Sequence, residues 1–168
     1  MNLPAATLER AATARLLSIG LSRPDATTVD ELRDLAGALA DGTSPDDPIH
    51  ELAALLDTEP DPDELPCAFE ALFGGRVACS PYEAGYEPDP FRGMRQMADA
   101  AGFYRAFGAV SGGPAAERPD HVACQLEFLA FLAARRLEVE EAGRADEAAF
   151  LADIEDSFLR SHLTRFMG

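Results

Sequence analysis

Within ERPDHVACQLEFLAFL, residues 117–132, a carboxylate, an imidazole, a thiol and a second carboxylate follow one another as Asp120, His121, Cys124 and Glu127. Those residue types at that spacing admit three uses. Histidine, thiolate and carboxylate are metal ligands, and a metal-binding or hydrolytic site built on His121, Cys124 and Asp120 would need a further ligand from a distant part of the chain. Two carboxylates on one helix edge can hold a cationic side chain. The same residues can also be plain helix-starting chemistry, because an acid at a helix N-terminus accepts backbone N–H groups and meets the positive end of the dipole, worth about 1 kcal/mol. A histidine beside it can simply bond a loop carbonyl.

The metal reading finds little support elsewhere in the chain. His50, His162, Cys67 and Cys79 are scattered without ligand spacing, and no GxSxG, P-loop, GxGxxG or HExxH pattern occurs. The cation reading depends on a helix predicted from 119 to about 140. At about 100° per residue, Val122, Leu126, Leu129, Ala133 and Leu137 gather on one face, and Cys124, Phe128 and Phe131 on nearly the opposite one. A helix apolar on two sides belongs inside a bundle, and at roughly 33 Å this one would be its central strut. Asp120 and Glu127 then share one narrow edge, about 10 Å apart along the axis. That edge must meet water, an arginine or a groove, since an unpaired buried carboxylate costs several kcal/mol.

The elements around this rod are also helical in pattern. Pro4 suits a first helical position, and Leu8, Ala12, Leu16 and Ile19 make residues 5–21 an amphipathic helix. Thr27 or Thr28 can cap the next, with Glu31 completing a capping box, and Gly42 stands where a left-handed residue would end it. IHELAALLD is a short helix after the turn-rich TSPDDP. Leu65, Phe69, Leu72 and Phe73 form a stripe that stops at Gly74-Gly75. Residues 76–90 fit neither period and read as a structured loop. Helical spacing returns with Phe91, Met94, Met97, Ala98 and Ala101, followed by Gly102 and the aromatic residues Phe103, Tyr104 and Phe107; SGGPAAERP breaks the chain again. A last helix carries Phe150, Ile154 and Phe158 on one side. No segment alternates with period two, so no sheet is expected.

Composition narrows the function classes. The length of 168 residues suits a single domain spanning 1–168, and 47% apolar residues can bury a core without metal or disulfide staples. Acidic residues outnumber basic ones 30 to 14, giving a formal charge of −16, and every basic residue is Arg. A chain of that sign is a poor partner for nucleic acid, which needs a cationic stripe. The acidity fits a self-repelling, solvated surface, and it equally fits a field that attracts a cationic partner. The N-terminal stretch carries Glu9, Arg10 and Arg15 and lacks the apolar run of a signal peptide or membrane span, so a cytoplasmic location without membrane insertion is expected. Three unpaired cysteines, Cys67, Cys79 and Cys124, agree with a reducing compartment.

Four stretches together resemble the TorD/DmsD/NarJ family of chaperones that mature molybdenum-containing redox enzymes. FEALFGG, residues 69–75, is similar to an aromatic-x-x-Leu-Phe-x-Gly segment; SPYEAGY, residues 80–86, resembles a Pro-Tyr-Glu-Ser-x-Tyr loop, with Ala84 where Ser is usual. ERPDHVACQLEFLAFL is similar to a Glu-x-Pro-Asp-His segment running into a Leu-Glu-Phe helix core, and SHLTRF, residues 161–166, to His-Leu-x-x-Trp, with Phe166 replacing Trp. The resemblance implies an all-α, single-domain helical bundle, TorD-like, that catalyses nothing and carries no cofactor of its own. It implies as partner a molybdopterin oxidoreductase catalytic subunit or its twin-arginine signal peptide. A receptor for such a peptide needs carboxylates beside an apolar groove. Asp120, Glu127 and Glu83 are candidates for the first, with His121 beside them, and Phe73, Tyr82, Tyr86 and Phe128 for the second. The tyrosines could as well pin their loop to the bundle by packing and one hydroxyl bond. The sequence ends at Gly168, soon after SHLTRF, and an apolar face left open there would favour a homodimer.

Overall fold

In a computed structural model of the chain, which describes residues 3–58, 61, 63–74, 80–109 and 117–167, seven α-helices and no strand are found among those residues. They are α1 (Leu3–Gly20), α2 (Thr28–Ala40), α3 (Pro48–Leu56), α4 (Leu65–Phe73), α5 (Pro90–Ala106), α6 (Val122–Glu141) and α7 (Ala145–Ser161), with short 3-10 turns at Glu83–Tyr86 and Leu163–Met167. The all-α architecture follows the periodicity of the sequence. Gly75, residues 76–79 including Cys79, and residues 111–116 of the SGGPAAERP break lie outside the described residues.

Helix α6 is the centre, as its two apolar faces require. One side packs on α1, where buried Ala123, Ala130 and Ala133 let the backbones come close and Ser18 Oγ donates to the Ala123 carbonyl at 2.9 Å. Its other side carries Phe128 and Leu132 into a core that Leu126 also joins, together with Ala100 and Tyr104 of α5, Phe158 of α7 and Leu163. That core is aromatic: Phe128 meets Phe158 at 4.8 Å, Tyr104 at 4.9 Å and Phe107 at 6.1 Å between ring centroids. A second core joins α1, α2 and α3 through Leu16, Ala36, Leu39 and Leu56. No helix is long and apolar enough to cross a membrane among the described residues.

Several local expectations are corrected. Thr27 precedes α2 without a side-chain cap; instead Asp25 accepts from the Thr27 N–H at 2.9 Å, and Thr28 Oγ1 accepts from the Asp25 N–H at 2.8 Å, so a tight acidic turn replaces the capping box. Those bonds to Thr27 and Thr28 hold the Asp25 carboxyl below its ordinary range. Gly42 is not left-handed; among the described residues the positive-φ glycines are Gly108 (72°) and Gly143 (71°), which end α5 and α6. At both, the following N–H reaches back to a carbonyl of the last turn, Ala109 to Tyr104 at 2.8 Å and Arg144 to Val139 at 2.9 Å, a closure that needs a residue without Cβ strain. Helix α5 runs on through Gly102, Phe103 and Tyr104 to Ala106. The α4 stripe is not buried: no residue of α4 is, and Leu72 is 67% exposed. On α5, Phe91 and Met94 face solvent while Gly93, Ala100 and Tyr104 turn inward.

Candidate functional site

The loop SPYEAGY and the Pro119-Asp120-His121 segment are brought side by side. Tyr82 and His121 form an antiparallel bridge, with Glu83 N–H donating to the Asp120 carbonyl and Val122 N–H to the Pro81 carbonyl, both at 2.8 Å. Helix α6 therefore begins at Val122, and its cap is His121, whose Nδ1 accepts from the Ala123 N–H at 3.1 Å. The loop-carbonyl partner expected for this ring is replaced by that cap. Burial lowers the His121 pKa from 6.5, Arg118 adding to the effect while Glu117 and Asp120 oppose it, and this keeps Nδ1 free to accept.

Asp120 is consequently off the helix, and the shared edge with Glu127 does not exist. Its side chain is fully buried; Arg118 grips it in a fork, Nε to Oδ1 at 2.9 Å and Nη2 to Oδ2 at 2.7 Å, while Oδ2 also accepts from the Ala84 N–H at 3.2 Å. Arg118 lies 4.5 Å over the Tyr82 ring, and the Tyr82 hydroxyl donates to Glu117 at 2.9 Å. Burial, the bond to Glu117 and that carboxylate's charge all raise the Tyr82 pKa. Tyr104 donates its hydroxyl to the Pro119 carbonyl at 2.8 Å, which anchors the segment to the core from beneath. Glu127 is exposed and pairs with Arg15 of α1 at 3.3 Å, an exposed ion pair worth less than about 1 kcal/mol.

Glu83 also turns inward, into a lattice that ties four elements together. Its Oε2 accepts from Gln125 Nε2 at 2.7 Å and faces His162 Nδ1 at 2.8 Å, while Oε1 lies 3.1 Å from Arg165 Nε. The other nitrogen of His162 faces Asp99 at 3.3 Å. Gln96, with its amide oxygen turned to Arg165, accepts from both terminal nitrogens at 2.9 and 2.8 Å. Tyr86 closes the loop by donating to the Ser80 carbonyl at 2.9 Å and by an edge contact with Phe166 at 5.5 Å. Two small residues permit this packing: a Cβ on Gly85 would sit 2.5 Å from Ser80 Oγ, and one on Gly93 would press the Ala84 Cβ at 3.2 Å.

Of the residues singled out by sequence, then, Tyr82, Glu83, Tyr86, Asp120 and His121 are assembled in one place. Phe128 lies in the core beneath them and reaches no surface. Phe73 packs on Phe69 within α4 at 4.9 Å, and Glu127 looks toward α1. Cys124 is not poised as a ligand or nucleophile: burial, with the nearby carboxylates, pushes its thiol up to about 11. With Asp120 held by Arg118 and Nδ1 of His121 used as a cap, those three do not form a ligand set, and no group of three metal-ligating side chains is found among the described residues.

Sequence reasoning passed over Gln125, His162 and Arg165 as members of the lattice, and a second polar cluster as well. Glu155 of α7 is 2% exposed, with Oε2 at 3.4 Å from Arg10 and 3.7 Å from Arg136. A signal was present, because Ala148, Leu151, Glu155 and Phe158 recur at helical spacing and place a glutamate inside an apolar stripe. Burial raises the Glu155 carboxyl above 4.5 in spite of both arginines. The neutral form is thus favoured by folding; the stabilisation is complete below 4.5 and is lost as pH rises through the raised folded value. Glu155→Gln is expected to melt above the parent at neutral pH, a gap that closes as pH falls toward 4.5, measured by circular dichroism.

Residues 25–168 match the family model described as nitrate reductase delta subunit. A solved structure of a proposed redox enzyme maturation protein from Archaeoglobus fulgidus matches with a TM-score of 0.58 and 23% identity, over 87% of this chain and 91% of that one. At that identity the likeness speaks for the fold alone. No curated protein matches the chain.

Proposed function

The chain belongs to the nitrate reductase delta subunit family, and on that premise we propose that it holds a molybdopterin oxidoreductase catalytic subunit in the cytoplasm, by its twin-arginine signal peptide, until the cofactor is inserted. It is a maturation chaperone in this reading, and its work is binding. The observation that carries the reading is a rigid turn flanked by exposed apolar side chains on an acidic body. Tyr86 is 41% exposed, and Phe91 and Met94, which follow at the start of α5, are 71% and 54% exposed. Asp89, Asp99 and Glu117 are exposed, Asp89 pairing with Arg92, and the chain as a whole carries −16. An apolar segment with a cationic end would find both of its needs there.

The roles proposed for the candidate residues divide accordingly. Tyr82 and Tyr86 meet the client, with Phe73 and Glu127 as outlying contacts. Glu83, Asp120 and His121 position the turn from below, and Phe128 supports them from the core. Isothermal titration with the apo catalytic subunit of a molybdopterin oxidoreductase, and separately with its twin-arginine leader peptide, tests the reading. Tyr86→Ser combined with Phe91→Ser is expected to weaken binding at least about a hundredfold, since each buried aromatic contributes on the order of 1.5–3 kcal/mol and about 1.4 kcal/mol is a factor of ten. If neither subunit nor leader binds the wild-type chain, the proposal is lost. A homodimer closed through the same side chains would double the mass in light scattering and would be dissolved by the client.

A further inference from the structure

On another side of the bundle, α1, α6 and α7 leave an open groove of about 440 Å³. Its α1 wall recurs at three- and four-residue steps from Ala6 to Leu17, which gives a length of roughly 16 Å. That shape suits a segment of chain better than a compact small molecule. Leu126, Leu129 and Ala133 of α6 supply an apolar floor, and Glu155 closes the groove from α7.

Glu155 is almost wholly buried, yet its Oε1 has no hydrogen-bond partner. The two arginines on its Oε2 differ in kind. Arg136 is mostly buried and is also bonded to Glu140 at 2.8 Å, so it is a fixed part of the interior. Arg10 is 53% exposed, lines the groove, and reaches Glu155 at 3.4 Å without another ion-pair partner among the described residues. An ion pair held by so exposed an arginine contributes little and is readily exchanged. With Arg10 turned away, Glu140 and Glu155 would share Arg136 alone while Glu9 also lines the groove, leaving an excess of negative charge over an apolar floor.

We propose that the groove takes an apolar segment of the client carrying one cationic side chain, and that Arg10 occupies the place of that side chain in the free protein. The inference rests on the client-binding reading above and adds a second contact region, distant in sequence from the Tyr82–Tyr86 turn. Arg10 then acts as an internal competitor, and Glu155 selects a segment with an Arg or Lys over one without.

The test uses fluorescence anisotropy with a labelled Leu/Ala helical peptide of about 15 residues, long enough for the groove, bearing one central Arg, and its counterpart bearing Gln. The Arg peptide is expected to bind about tenfold tighter than the Gln peptide. Glu155→Gln should abolish that preference, Arg10→Ala should tighten the Arg peptide about threefold, and Leu17→Asp on the rim should weaken both. Equal binding of the two peptides, a preference that survives Glu155→Gln, weaker binding in Arg10→Ala, or indifference to Leu17→Asp overturns the proposal. The apo client subunit is titrated alongside. Should it bind the wild-type chain and ignore all three substitutions, the groove has no part in client binding and the chaperone reading stands; should it not bind the wild-type chain at all, the chaperone reading fails while the peptides still decide the groove.

Discussion

Glu83→Ala is expected to lower the melting temperature by on the order of 10 °C. The carboxylate is fully buried and joins Gln125, His162 and Arg165, so its removal leaves a buried imidazole and a guanidinium without their shared partner. Breaking a buried pair in this way costs about 3–5 kcal/mol. In a chain of this size each kcal/mol moves the midpoint by about 2–4 °C. Calorimetry measures the loss, and limited proteolysis should show that the 80–86 loop opens first, since it is the element the lattice holds down. A variant that melts with the parent but no longer binds the client would make Glu83 a contact group and refute its structural assignment.

The second large effect falls on Phe128. Its ring is 3% exposed and packs on Phe103, Tyr104, Phe107, Phe131 and Phe158. Phe128→Ala empties the middle of the core and should cost about 3–5 kcal/mol, the ordinary range for such a truncation. Phe128→Leu, which keeps most of the volume, should recover the larger share of that loss. Denaturant melts of the two variants measure this. If Phe128 met a bound peptide directly, both variants would impair binding while leaving stability unchanged, the opposite pattern.

Both substitutions sit at positions that sequence alone marks as candidate contacts, and the reason for the difference is instructive. A glutamate inside a loop motif and a phenylalanine on a helix can each be placed on an element from spacing, but spacing does not say which neighbour fills the space in front of them. Glu83 turns inward because Gln125 of α6 and His162 and Arg165 at the end of α7 converge on it from positions 42, 79 and 82 residues away. No local pattern contains that convergence. Asp120 shows the same limit at shorter range. Treating it as the first residue of α6 gives it a bearing shared with Glu127, whereas the bridge between Tyr82 and His121 stops the helix at Val122 and hands Asp120 to Arg118.

What could be determined without coordinates is what depends on neighbours along the chain. The 3.6-residue recurrence of apolar side chains located α1 through α7 and the two-faced character of α6, because that period is set along one helix; whether a stripe is then covered is not, as the uncovered stripe of α4 shows. The order of SPYEAGY, PDH and SHLTRF was enough to suggest the family, to which the chain belongs over residues 25–168. What only the tertiary structure decided is the sign of each polar group's exposure. Glu83, Asp120 and Glu155 are buried and Glu127 is not, although all four are carboxylates near apolar stretches. A buried charge is tolerable only where its partners arrive, and those partners come from other helices.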